Sequence, residues 1–228
     1  MTIRFTTSLS VGALALLCSL APATSAVYAQ DAVPFDAIGD DGTRTAIRTI
    51  IADAAARGLP TAPLVTKVRE GIAKKAAPDR IRTATSALAG RLAVAADALA
   101  PTRSNEELAA AADALQAGIP VSTLRDMRKL WPGKPLTVPL GVLAEMVQSG
   151  VSKQVATQRV RDLLVKGATA GQFASLGTNV RDDIASGLAP DAAMELRSKS
   201  VLSVLNSQQG LFNGLTPAAP TNIRPRNK

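Results

Sequence analysis

Residues 104–122 read SNEELAAAADALQAGIPVS, and this stretch holds the pattern from which the whole fold is read. Ser104 and Glu107 have the spacing of a capping box, in which a hydroxyl and a carboxylate satisfy each other's backbone donors at a helix start. Leu108, Ala111, Ala112 and Leu115 follow at i, i+3, i+4 and i+7, one face of a helix. Gly118-Ile119 then ends it. Glycine takes the left-handed position after the last turn without a Cβ clash, and the apolar residue behind it folds back on the helix. Pro120 cannot continue that helix, so Val121-Ser122 begin another.

The same punctuation recurs on both sides: Gly58-Leu59, Gly150-Val151 and Gly187-Leu188, each followed by a Pro, Ser or Ala-Pro restart. Between these marks apolar residues keep helical spacing. Ile47, Ile50, Ile51 and Ala54 form one stripe, and Leu64, Val65, Val68 and Ile72 another. Pro78 opens a helix carrying Ile81, Leu88, Leu92, Ala95 and Leu99, and Pro101 stops it. A short helix holds Leu124, Met127, Leu130 and Trp131 ahead of the break Pro132-Gly133-Lys134-Pro135. Leu140 to Val147, Val155 to Leu164, and Phe173 to Ile184 mark three more, and Pro190-Asp191 starts the last.

The fold class is therefore all-α, about nine short helices. Connections of a few residues force antiparallel or angled neighbours. Two arrangements satisfy this, an irregular antiparallel bundle or a short helical-repeat array. The marker glycines lie 60, 32 and 37 residues apart, without the fixed period of a regular solenoid.

Composition agrees. Hydrophobic residues make up 46% of the 228 residues, enough for a core, whereas aromatics are only 3%. The core must be built from Leu, Val, Ile and Ala, which suits closely packed helices. Residues 1–29 have the form of a secretory signal: Arg4, the apolar run Val11–Leu20, and small residues before a cleavage point after Ala29, with Ala26 as the alternative. The apolar run is too short to span a bilayer, so no transmembrane span is expected after cleavage. Residues 30–43, with Asp31, Asp36, Asp40 and Asp41, read as a flexible acidic lead-in that lacks calcium-loop spacing. A single helical domain covers 44–207. Residues 208–228 read as a disordered basic tail with three prolines and no acid after Thr216.

Pro63-Leu64-Val65, Lys67, Glu70-Gly71, Lys74 and Arg80-Ile81, with Ala114-Leu115 and Gly118-Ile119-Pro120 further on, resemble a group of small, signal-peptide-bearing, all-helical bacterial proteins of unknown function. The resemblance implies export and helicity, and no activity.

The inventory of reactive groups points away from an enzyme. The chain has no histidine, and loss of the signal removes Cys18 and Tyr28, its single cysteine and single tyrosine. The usual general base, thiol nucleophile and transition-metal ligands are then missing, so no cofactor and no metal site is expected. No disulfide can form. Most acids have helical work. Asp53, Glu70, Asp162 and Glu195 each precede a base by four residues, the order that supports a helix. Adjacent Asp182 and Asp183 point about 100° apart on a helix and cannot form a dyad by themselves.

One cluster suggests binding. Arg125, Arg128, Lys129 and Lys134 surround Trp131, the single tryptophan. Trp and Arg are common interface anchors, so these five residues are the candidate partner site. The competing reading packs Trp131 in the core with the bases as its solvated rim. Losing Arg4 lowers the net charge from +8 to +7, a modest excess without base-stacking aromatics, and nucleic acid is not an expected partner. The sequence thus describes an exported (periplasmic or extracellular) helical scaffold that binds an envelope protein or peptide. The alternative is a cationic binder of anionic envelope surfaces, and a minority reading is an enzyme that uses carboxylates or lysine.

Overall fold

In the computed structural model, residues 35–102 and 104–213 are described, with side-chain packing to residue 208. The signal segment and residues 214–228 lie outside the described residues. Among those described there are nine α-helices, one 3-10 turn and no strand: α1 (Asp41–Ala56), α2 (Ala62–Ala73), α3 (Pro78–Ala98), α4 (Asn105–Gln116), α5 (Val121–Leu130), α6 (Thr137–Gln148), α7 (Lys153–Val165), α8 (Ala170–Ala185) and α9 (Pro190–Asn213). No helix among them is long and apolar enough to cross a membrane.

Helix ends follow the glycine code. At Gly58, Gly118, Gly150, Gly167 and Gly187 φ is positive. At each of them the glycine N–H and the N–H behind it bond back to the last turn, as Gly118 N does to Leu115 O and Ile119 N to Ala114 O. The apolar follower is then buried: Leu59, Ile119, Val151 and Ala168 are each under 8% exposed, and only Leu188 stays 41% exposed. A sixth end has the same bonds without glycine. Lys75 N bonds Ile72 O, Ala76 N bonds Gly71 O, and Lys75 has φ 52°.

Packing follows chain order. The principal contacts join helices no more than two apart in chain order: α1, α3, α4, α6 and α8 follow one another along one row, and α5, α7 and α9 along a second. That nearest-neighbour pattern is the mark of a quasi-linear repeat array. Alanines allow the rows to close up. Ala111, Ala112 and Ala114 of α4 are fully buried against its neighbours. Gly177 of α8 sits where a Cβ would lie 3.3 Å from Glu145 Oε2 and 3.5 Å from Val142 Cγ2 of α6. The main core runs through Leu92, Leu99, Leu124, Met127, Leu140, Leu143, Met146 and Phe173. Each such side chain contributes about 1.5–3 kcal/mol of burial.

The lead-in departs from expectation. Phe35, Ile38 and Thr43 of it are packed, and the described residues between them are exposed. Phe35–Ala37 form the 3-10 turn, and Ile38 is 2% exposed in a second core cluster with Ile47, Val68 and Ile81. Asp40 caps α1 by accepting from Thr43 N at 2.6 Å, and Asp36 and Asp41 pair with Arg44. Asp40 is thus helix-start machinery, Asp36 and Asp41 stay exposed beside Arg44, and α1 begins at Asp41. At the other end α9 continues to Asn213, past the expected boundary at 207. Two of the four expected i, i+4 pairs form, Glu70–Lys74 at 2.5 Å and Glu195–Lys199 at 4.0 Å. Asp162 turns instead to Arg159, which also joins α7 to α9 through Glu195. No ion pair joins Asp53 to Arg57. Asp183 parts from Asp182 and chelates Arg197 of α9, both bonds at 2.6 Å, and this holds its carboxyl below the ordinary range.

Candidate functional site

Half of the anticipated capping box forms. Ser104 Oγ accepts from Glu107 N at 3.2 Å and donates to Glu106. Glu106, bonded by its own backbone N–H and by Ser104, has a lowered carboxyl pKa. Glu107 does not reach back to Ser104 N. Its side chain turns inward, 4% exposed, and its oxygens accept from the Thr102 hydroxyl at 2.5 Å, from Leu136 N at 2.8 Å and from Arg128 Nη2. A buried carboxylate demands such donors, and a distant arginine offers more than a neighbouring backbone N–H.

Arg128 is therefore a brace. Besides Glu107, its Nη1 donates to the carbonyls of Trp131 at 3.1 Å and Lys134 at 3.0 Å. Its Nε is buried without a partner. One guanidinium ties the first turn of α4 to the end of α5 and to the loop that leads into fully buried Leu136. The sequence places Arg128 in a surface docking cluster, whereas the fold uses it as the internal half of an ion pair.

The other four residues of the cluster stay near one another with different duties. Trp131 is half-buried and packs against the core, which combines the two readings of it. Lys134 Nζ stands 4.3 Å from its ring centroid, a cation–π contact. Arg125 is exposed on α5, and Lys129 is 78% exposed with a loose 3.9 Å pair to Asp126. The exposed bases Arg125, Lys129 and Lys134 and the rim of Trp131 are what this face offers to a partner.

Beside them runs a groove that the sequence does not announce. One cleft, about 330 Å³, is bounded by Thr102, Ser104, Glu107, Arg128 and Lys134. A second, about 570 Å³, lies between the ends of α1 and α3, lined by Ala93, Ala96 and Ala100 together with Arg57 and Asp97. Pro101 and Thr102 line both, so the two clefts share a wall at the α3–α4 junction. Small residues at helical spacing are read as tight packing, and only tertiary placement reveals which of them line a cleft.

A third cleft, about 540 Å³, lies among α2, α3, α4 and α6. Its Glu70 bonds Lys67 at 2.7 Å and also Lys74, which lowers its pKa to about 2 and fixes it as a carboxylate. Asp113 opposite is raised by desolvation, against the pull of Arg91 and Lys67. Chemically each of these clefts mixes small or apolar residues with charged side chains.

Compared with known proteins, the sequence matches no protein-family model and no curated protein, and the fold matches no solved structure.

Proposed function

We propose that this chain is an exported, non-catalytic helical scaffold that receives an extended segment of an envelope protein or peptide. The observation that carries the reading is the pair of adjoining clefts at Pro101–Thr102. The larger is lined by Ala93, Ala96 and Ala100 with Arg57 and Asp97, and the smaller by Pro101, Pro135 and Gly133 with Glu107, Arg128 and Lys134. Repeat arrays bind along such surfaces because adjacent helices leave a groove at each junction. The secretory form of residues 1–29 supports the compartment.

The test immobilises the protein, exposes it to envelope extract, and washes at about 0.15 M and then about 1 M salt, which shortens electrostatic reach from roughly 8 to 3 Å. A protein that survives the second wash and is lost with Ala96→Leu, which fills part of the larger cleft, supports the groove. Retention untouched by Ala96→Leu, or no retention at all, refutes it.

A further inference from the structure

Residues 67–82, KVREGIAKKAAPDRIR, span the end of α2 and the start of α3, and their six bases stand against two acids. Four net positive charges in sixteen residues are half the excess of the whole chain. The structure sorts them. Glu70 takes Lys67 and Lys74, and Asp79 takes Arg82 at 3.1 Å. Lys75 and Arg80 are exposed, and no ion pair joins either to a carboxylate among the described residues. Acids from the neighbouring segment are occupied, Asp36 and Asp41 by Arg44, and Asp40 by the start of α1.

Lys75 is also the one non-glycine residue with positive φ among the described residues. Five other helix ends with the same hydrogen bonds use glycine, which meets no Cβ clash in that conformation. A lysine kept there carries a conformational cost, and a strained residue of that kind points to a use for its side chain. Lys75 lines a cleft of about 400 Å³ whose other walls are apolar, with Ile38, Ile72, Pro78 and Ile81 among them.

We propose that this α2–α3 corner docks on an anionic phospholipid surface, with Lys75 and Arg80 on headgroup phosphates and the cleft beside Lys75 taking the apolar part below a headgroup. An exposed lysine on an apolar-walled notch, with a second exposed base five residues along the chain, matches a ligand that is charged at one end and apolar at the other. The corner is separate from the Pro101 groove, and the proposal does not depend on that reading.

The test is co-sedimentation of the full chain with vesicles of phosphatidylcholine alone or with about one-third phosphatidylglycerol. The neutral vesicles subtract any apolar association. Lys75→Gly should raise the thermal midpoint, because it relieves the backbone, and at the same time weaken partition to anionic vesicles about fivefold, one basic contact at such a surface. Arg80→Gln should weaken it similarly, whereas Lys199→Gln on α9, the same loss of one charge elsewhere, should change it less than about twofold. Equal partition to neutral and anionic vesicles overturns the proposal. So does unchanged anionic partition in Lys75→Gly and Arg80→Gln, or an equal loss in Lys199→Gln.

Discussion

Replacing Arg128 by methionine keeps most of the side chain's length and removes its charge. Glu107 would then sit 4% exposed with two of its three donors, Leu136 N and the Thr102 hydroxyl, while the carbonyl of Lys134 loses its donor and that of Trp131 keeps only Lys134 N at 3.5 Å. Breaking one side of a buried pair costs about 3–5 kcal/mol. The two surviving bonds to Glu107, and the access of water to an exposed loop, place this case at the low end, about 3 kcal/mol. For a domain of this size that is a fall of about 6–12 °C in thermal midpoint. The assay is thermal unfolding followed by fluorescence. Trp131, the single tryptophan, sits on the braced loop, so its emission in the folded state should shift to the red as the loop loosens. Adding Glu107→Gln should recover more than half of the loss, because the amide oxygen still accepts from Leu136 N and no charge remains buried. A cost below about 1 kcal/mol, the worth of an exposed pair, with unchanged emission would refute the brace.

Gly71→Ala tests the α2–α3 contact. Alanine gains up to about 1 kcal/mol of helix propensity, yet its Cβ would lie 2.8 Å from Ile81 Cγ1, a 4% exposed side chain, so a net loss of about 1–2 kcal/mol is expected in denaturant unfolding. Glu70 gives a pH dependence. Its folded pKa of about 2 lies below the ordinary glutamate value of 4.5, so its contribution is full above about 4.5 and is lost as pH falls towards about 2. The midpoints of the parent and Glu70→Gln should differ near neutral pH and converge across that window, and a constant gap would refute the pairing.

Much of the architecture was legible because it is written locally. Gly118-Ile119 ends a helix through bonds confined to its own last turn, and the stripe from Leu108 to Leu115 shows its face whatever it packs on. The candidate cluster was half legible for the same reason. Arg125, Arg128 and Lys129 do share a short helix, but nothing near position 128 in the chain says that a carboxylate from position 107 waits for it. The anchoring of the lead-in is not legible in an acidic, glycine-containing run, because Ile38 declares itself only when Ile47, Val68 and Ile81 close around it. Thr169 and Gln172 form the full capping box that Ser104 and Glu107 do not, with bonds of 2.8 and 3.2 Å, and that spacing was available to be read.

By itself, then, the sequence determined the helical class, the helix count and most helix ends, since periodicity, caps and glycine stops act over one or two turns. The order of the rows, the inward turn of Glu107, the groove at Pro101 and the cleft beside Lys75 were decided by tertiary structure. Each depends on groups far apart in the chain competing for one donor, one charge or one patch of apolar surface, and only the folded arrangement brings those competitors together.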